Sequence, residues 1–312
     1  MTYASGNQIL DSDYNGFINQ VNPVFGVGAG DSGYGNSPIL ASAAAGTPIT
    51  ATQWASLLSR ISTMASHQGT TLSSISTPTV GVPISAHAQL TSNITGVVNS
   101  RRNAIASGTD ITTGGVGQRT TGWVNSVTMQ YTITFTTANA ARHFFNAGGM
   151  IRMNFSRSGG VAHAKNADWT ALCTACGTVV VTGGGHASIA GTPYSGTNKL
   201  GGSGSPTTLL LTTGYHQLAA GYQTLFVQRS TNPIYGGYSL YSANRIEVRA
   251  LRNANTVLVQ VVFIDDAPDT SPVPLDIVDG TLQTTMILRP PSTTHLTNSW
   301  GTPSMSVTVS GS

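Results

Sequence analysis

The chain has 312 residues, with 14 Lys or Arg, 11 Asp or Glu and a formal net charge of +3. Only 8 % of its residues are charged, against roughly 25 % in an ordinary soluble domain. This composition excludes a coiled coil, which needs many Glu, Lys and Arg, and a disordered chain, which needs a high net charge. No apolar run is long enough to cross a bilayer, so no membrane is expected as a partner.

The opening residues MTYASGNQILDSDYNG lack the basic start and apolar core of a signal peptide, and the chain has two cysteines. Both features predict synthesis in a reducing cytoplasm. The surface must consist mainly of Ser, Thr, Asn, Gly and Ala, which gives little repulsion between copies. We therefore expect the chain to pack against other copies of itself. A polar β-protein from an extracellular or low-salt setting is the alternative.

The sequence of region 1–106 predicts three short amphipathic helices. The first of them lies near the start of the region. Asp11 or Ser12 can cap this helix, which ends before Pro23. Its apolar face consists of Tyr14, Phe17, Ile18 and Val21.

The second and third helices of this region follow after long Gly-, Ser- and Pro-rich connections. Thr50 and Gln53 fit a capping box, and Gly69 fits a left-handed C-terminal cap. The third helix is predicted over 86–105. Three short helices bury too little apolar area to order such loops alone. We expect a docking region held by the rest of the chain or by neighbouring subunits, and the low charge favours neighbours.

The segment 107–118 is Gly- and Thr-rich and predicts a linker to a strand-rich domain over 119–312. Period-two alternation indicates half-buried antiparallel strands, with a hairpin turn at Asn253–Asn255. The predicted fold is mainly β with α: a C-terminal antiparallel, jelly-roll-like β-sandwich with short helical inserts, preceded by a small helical N-terminal region. The predicted strands are 124–137, 150–158, 178–185, 224–230, 244–252, 255–266, 281–290 and 304–311, and the inserted helices are 138–149 and 166–177.

The tetrapeptide Gly30–Gly33 reads GDSG, the sequence that surrounds the nucleophile of trypsin-like proteases. Catalysis by Ser32 would need a His base and an Asp orienter. In that family both precede the serine, but no His precedes Ser32 here. We therefore interpret the segment as a Gly-rich turn.

The second motif is CTAC, formed by Cys173 and Cys176 at the end of a predicted helix. His163 and His186 could complete a zinc site with it, but their spacing fits no zinc-finger pattern. The interpretation favoured by the sequence is a pair of buried or half-buried free thiols.

The acidic segment 265–279 is the third candidate. Asp265, Asp266 and Asp269 could bind calcium, but the spacing of an EF-hand loop is missing, which favours a solvated Pro-rich turn. Because no acid–base pair, phosphate loop or metal motif is present, the sequence predicts that the chain is not an enzyme. It predicts no catalytic, cofactor-binding or metal-binding residue and no cofactor.

Several segments resemble virion structural proteins of contractile-tailed, cyanophage-like bacteriophages. They are LDSDYNGFINQVNPVFGVGAGDSGYG (10–35), ITATQWASLLSRISTMASHQGT (49–70), TTANAARHFFNAGGMIRMNFSRSGG (136–160), KNADWTAL (165–172), NRIEVRAL (244–251) and DIVDGTLQTTMILRP (276–290), of which ARHFFNAGG is the most specific. Phe144 of this segment can pack beneath the sheet, and the flanking Arg142 and Arg152 could pair with the acidic segment.

The resemblance implies a non-enzymatic structural component of a tailed-phage virion, in the neck, collar, tail or fibre region. It implies manufacture in the bacterial cytoplasm and partners that are other copies of the chain and neighbouring virion proteins. The thinly spread arginines predict no specific nucleic-acid partner. The alternative is a carbohydrate-binding adhesin or receptor-binding module that binds host-surface glycan on exposed tyrosines, namely Tyr215, Tyr222, Tyr235, Tyr238 and Tyr241.

Overall fold

The computed structural model of the chain describes residues 10–76, 87–231, 241–266 and 277–311. Their helices are α1 (Asp11–Phe25), α2 (Ala51–Gln68), α3 (His87–Asn99), α4 (Ala138–Asn146) and α5 (Ala164–Cys176), with a 3₁₀ turn at Tyr215–Gln217. Their strands are β1 (Val116–Arg119), β2 (Ser126–Thr134), β3 (Met150–Ser158), β4 (Thr178–Val181), β5 (His186–Ile189), β6 (Thr192–Tyr194), β7 (Thr197–Leu200), β8 (Thr208–Leu209), β9 (Gln223–Arg229), β10 (Arg245–Asn253), β11 (Thr256–Ile264), β12 (Thr281–Arg289) and β13 (Ser304–Gly311).

Two antiparallel sheets form the body of the molecule. The first sheet has the order β1-β12-β3-β4-β7, and the second has the order β13-β2-β11-β10-β9-β8. Strands β5 and β6 form a small additional ribbon. The predicted mainly-β class, with an antiparallel sandwich and helical inserts after a helical N-terminal region, is confirmed.

The side chains of strand β2 alternate between a buried and a half-buried face, as the sequence predicts. Val127, Met129, Tyr131 and Ile133 are fully buried, whereas the residues between them are half-buried. The Tyr131 hydroxyl donates to the carbonyl of Thr284 on β12 at 2.9 Å, which ties the two sheets together. The predicted hairpin is also confirmed, because Asn253 pairs with Thr256 and β10 follows β11 along its full length.

The predicted N-terminal helices form, with two corrections at their ends. Helix α1 runs through Pro23 to Phe25, because burial of Val24 and Phe25 holds its last turn and the Gly26 amide still donates to the Asn22 carbonyl. Its N-cap residue is Leu10, so neither Asp11 nor Ser12 occupies that position.

Helix α2 has the predicted ends, since the Gln53 amide donates to the Thr50 hydroxyl and Gly69 has the left-handed conformation. Helix α3 is shorter than predicted and ends at Asn99. The chain turns there because the backbone of Ala104 pairs with that of Ile189 in β5.

One continuous cluster of buried apolar side chains joins α1–α3 to the sandwich. It contains Phe17 and Trp54 from the helices and Phe144 and Tyr131 from the remainder of the chain. Contacts within the chain therefore support the N-terminal helices, where the sequence favours neighbouring subunits. The segment 107–118 is hydrogen-bonded along this body and includes the start of β1.

Candidate functional site

A network of polar side chains lies where the loop 26–36 packs against helix α4. This loop contains the GDSG segment, and its backbone bonds fold it back on α1, with the Tyr34 amide donating to the Val24 carbonyl at 2.9 Å. Gly33 has a φ of +107°, and a Cβ there would clash with the Val27 carbonyl. The tight loop therefore requires glycine at this position.

Three side chains of α4 bind the backbone of this loop. Arg142 donates from Nη1 to the Ser32 carbonyl and from Nη2 to the Val27 carbonyl, each at 2.6 Å. The His143 Nε2 lies 3.1 Å from the same Val27 carbonyl, and the Asn146 amide donates to the Gly33 carbonyl at 3.1 Å. Because a carbonyl only accepts, neutral His143 carries its proton on Nε2. Together these bonds fasten the loop to the sandwich.

Asp31, at the tip of the loop, binds two consecutive arginines. Its carboxylate accepts from Arg101 at 3.1 Å and also from Arg102. Partial burial alone would raise the pKa of Asp31, but the hydrogen bonds and charges of the two guanidinium groups outweigh it and lower the pKa. The loop is thus joined on its other side to the chain after α3.

His216 extends the same network. Its Nε2 lies 2.7 Å from the Asn146 Oδ1. The Asn146 NH₂ group already donates to loop carbonyls, so its oxygen is the acceptor and His216 is the donor. Burial, together with the positive charges of Arg252, Arg102 and Arg142, lowers the pKa of His216 to about 4 against the opposing effect of Asp31. His216 is therefore a neutral donor at pH 7.

Tyr215, which precedes His216 in the chain, packs its ring against the Arg252 guanidinium group. Its ring stacks on Phe145 with centroids 4.4 Å apart, and the Arg252 guanidinium carbon lies 5.1 Å from the Tyr215 centroid. Tyr215 is only 3 % exposed, so the prediction that it belongs to an exposed tyrosine platform is wrong. Its burial follows from the stack with Phe145 of α4.

We call Asp31, Arg101, Arg102, Arg142 and Arg252 the junction cluster. The rest of the chain has ten basic and ten acidic residues, so the whole formal net charge of +3 belongs to this cluster. Arg101 and Arg142 donate to backbone carbonyls, and Arg101 and Arg102 donate to Asp31. The arrangement is suited to holding the loop in one conformation.

Ser32 has the environment of a turn residue, as its Gly-rich surroundings predict. Its hydroxyl donates to the Pro23 carbonyl at 2.9 Å, and its amide donates to the Ala29 carbonyl. The histidine nearest in the network, His143, faces the Val27 carbonyl instead.

The two cysteines are free and buried at the end of α5, as the sequence predicts. Burial raises the pKa of Cys173 to about 12 and raises the pKa of Cys176 well above its ordinary value. His163 caps the N-terminus of α5, accepting from the Asn166 amide, and therefore lies at the opposite end of the helix from the thiols. His186 lies on β5.

The acidic segment is bound to protein cations where the structure describes it. The Lys165 Nζ lies 2.7 Å from the Asp265 carboxylate with both side chains only 3 % exposed, and Asp266 pairs with Arg245. Asp269 lies outside the described residues.

The prediction that Arg142 and Arg152 pair with the acidic segment is wrong. Arg142 binds the loop 26–36, and the Arg152 Nη1 lies 3.8 Å from the Asp110 Oδ2. Each arginine contacts acceptors that are distant in sequence, because folding brings the loop 26–36 next to Arg142 and Asp110 next to Arg152.

The remaining predicted tyrosines do not form a platform in the described residues. Tyr222 is 39 % exposed, and its hydroxyl donates to the Gln130 side chain at 3.1 Å. Tyr241 is half-buried, whereas Tyr235 and Tyr238 lie outside the described residues.

Sequence reasoning missed the junction cluster as a unit. The available signal was the position of Asp31, which lies in a Gly-rich loop of a region whose few basic residues include the adjacent pair Arg101 and Arg102. The contribution of Asn146 and His216 has no local sequence pattern, because 70 residues separate them.

No protein-family model, curated protein or solved structure matches the chain. Among the described residues, no helix is long and apolar enough to cross a membrane. Those residues also contain no group of three or more His, Cys, Asp or Glu side chains placed to hold a metal ion.

Proposed function

We propose that the chain is a non-enzymatic structural component of a tailed-phage virion, in the neck, collar, tail or fibre region. The observation that carries the proposal is the contact between two segments that resemble virion proteins, 10–35 and 136–160. Arg142, His143 and Asn146 of the second segment all bind backbone carbonyls of the first. The two segments that resemble virion proteins are therefore in direct contact with each other in the structure.

The character of this contact supports a structural role. A positively charged side chain usually remains in water unless it is paired. Here the half-buried Arg142 guanidinium is committed to the Ser32 and Val27 carbonyls, which fixes a loop rather than presenting a reactive group. The low charge of the chain supports dense packing against neighbours.

The residues that an enzyme would use also have structural environments. The Ser32 hydroxyl is bonded to the Pro23 carbonyl, and both thiols are buried with raised pKa values. A thiol needs a lowered pKa and access to solvent to act as a nucleophile. These environments favour the non-enzymatic proposal over a hydrolase.

The glycan-binding alternative has less support. It needs several exposed aromatic rings on one surface, and Tyr215 is buried against Phe145. Tyr222 is exposed but is engaged with Gln130 through its hydroxyl. No specific observation in the described residues favours this second function.

The test is to separate tailed-phage particles by density gradient from a lysate that contains the chain and to quantify the chain in each fraction by mass spectrometry. Gold-labelled antibodies then locate it on the particle. We expect the chain to remain with the particles in a constant ratio to the major capsid protein. A phage enzyme that is not packaged serves as the control. Recovery of the chain only in the soluble fractions with that enzyme would contradict the proposal.

A further inference from the structure

Strand β13 (Ser304–Gly311) forms one edge of the second sheet and differs from the other sheet edges. It has eight residues, whereas β1 and β7 have four each and β8 has two. Its sequence SMSVTVSG contains no charged residue and no proline. Natural proteins usually protect an edge with charges, proline, a bulge or a short strand, because an open edge pairs with other chains.

The pairing of β13 with its neighbour is regular from end to end. Its register against β2 runs without a shift from Ser304 opposite Thr134 to Gly311 opposite Val127. No bulge therefore twists the edge away from an incoming strand.

The direction of the backbone groups of β13 follows from the hydrogen bonds of β2. The Phe135 amide donates to the Asn255 carbonyl, so the odd-numbered residues of β2 face β11 and the even-numbered ones face β13. The partners of those even-numbered residues are Ser304, Ser306, Thr308 and Ser310. The amides and carbonyls of the alternate residues point outward, namely those of Met305, Val307, Val309 and Gly311.

The fold covers the two ends of this outward edge. A Cβ at Gly114 would clash with the Met305 carbonyl, so the Gly114 backbone packs on that oxygen. At the other end, Arg119 donates to the Gly311 carbonyl at 3.0 Å. The outward amides and carbonyls of Val307 and Val309 have no hydrogen-bond partner within the described residues.

We propose that β13 pairs antiparallel with β13 of a second copy of the chain, about a twofold axis that passes beside Thr308. The inference rests on the dense packing against neighbours in the proposed function, and it takes a second copy of the chain as one such neighbour. It specifies the surface and the register of one such contact.

This register satisfies all the open groups of the central edge. Val307 of each copy forms a hydrogen-bonded pair with Val309 of the other, which makes four backbone hydrogen bonds across the twofold axis. Thr308 then lies opposite its own equivalent in a non-hydrogen-bonded pair, where side chains approach most closely. The pairing runs over residues 306–310 of each copy and joins the two six-stranded sheets edge to edge, because Gly114 and Arg119 already occupy the outward edge at Met305 and Gly311.

The chemistry of β13 favours a second copy as the occupant. In a twofold antiparallel pair each side chain meets one from an identical strand, so a charged residue near the centre would face its own charge. The side chains from Ser304 to Gly311 are all either hydroxyl-bearing or apolar. Opposed threonines and β-branched residues are favourable cross-strand pairs.

The first test compares Val309→Pro with Val309→Thr in the full chain by sedimentation equilibrium. Proline removes the outward amide of Val309 without removing a bond to β2, whereas threonine keeps the shape and the amide. We expect the dimer dissociation constant to rise at least about tenfold for Val309→Pro, because each dimer loses two hydrogen bonds. Val309→Thr should dimerise like the wild type, and circular dichroism should show both variants folded.

The second test fixes the register. In the proposed pair, position 308 lies opposite position 308 of the second copy at a Cα separation of about 4.5 Å, which a disulfide between two Thr308→Cys chains can span. Position 306 instead lies opposite position 310. Mild oxidation should therefore cross-link Thr308→Cys into a covalent dimer and leave Ser306→Cys uncross-linked, and the buried native cysteines should not contribute.

A wild-type chain that remains monomeric at micromolar concentrations, or equal cross-linking of the two cysteine variants, would overturn the inference. An oligomer unaffected by Val309→Pro would also overturn it, because assembly would then use another surface. In that last case the proposed structural role would stand, whereas absence from phage particles would contradict that role without affecting the dimer.

Discussion

The His67 Nε2 lies 3.1 Å from the carbonyl oxygen of Ala147, although the two residues are 80 positions apart. The contact joins helix α2 to the turn after α4, and His67 is only 1 % exposed. Because the carbonyl only accepts, neutral His67 carries its proton on Nε2. Burial lowers the pKa of His67 to about 4, even though the bond to Ala147 acts in the opposite direction.

This contact predicts that the protein loses stability in mild acid. Between pH 6.5 and about 4, His67 is protonated in the unfolded chain but neutral in the folded one. The unfolded state then binds more protons, so the free energy of unfolding falls as the pH falls. Urea unfolding at pH 7 and pH 4.5 measures the effect. His67→Gln should show a weaker pH dependence than the wild type, because it removes a group whose pKa is lowered by folding. Equal pH dependence of the variant and the wild type would contradict the prediction.

Arg142→Ala should destabilise the protein and loosen the loop 26–36. The variant loses two short charged hydrogen bonds, to Ser32 and Val27, and we expect a loss of about 2 kcal/mol in the free energy of unfolding. Limited proteolysis should then cut the loop faster. Arg229→Ala is the control, because Arg229 is exposed and its contact with the Ala243 carbonyl is 3.4 Å long. Similar losses for both variants would argue against a fastening role for Arg142.

The contrast between β2 and the junction cluster shows what the sequence could predict. Alternation in β2 and the capping box of α2 involve residues a few positions apart, so their sequence patterns predict the structure directly. The contact between Arg142 and Ser32 spans 110 residues and follows from the packing of α4 on the loop. The predicted exposure of Tyr215 is wrong for the same reason, because the ring that buries it, Phe145, belongs to a helix distant in sequence.

The buried ion pair of Lys165 and Asp265 predicts a large effect of single substitutions. Lys165→Met leaves the Asp265 carboxylate buried without its cation, and we expect a loss of about 3–5 kcal/mol. The double variant Lys165→Met with Asp265→Asn removes both charges and should lose less than the sum of the two single variants. Denaturant unfolding of the four proteins gives this comparison. Additive losses would mean that the two side chains do not stabilise each other.

The thiols of Cys173 and Cys176 should be unreactive in the folded protein. Both are buried, and their raised pKa values keep them protonated at pH 8, whereas the thiolate is the reactive form. A chromogenic disulfide reagent should therefore react with neither thiol until urea unfolds the chain, and then with both. Rapid reaction in native buffer would show that α5 opens readily or that the thiols lie elsewhere.

The helices α1–α3 and the sandwich share one buried cluster, and the junction cluster fastens the loop between them. The most direct test of this single unit is hydrogen exchange of the full chain, followed by mass spectrometry of its peptides. Peptides from α2, β2 and β11 should open with the same free energy, equal to that of global unfolding. Exchange of the α2 peptides through a separate opening of much lower free energy, with β2 and β11 still protected, would contradict it.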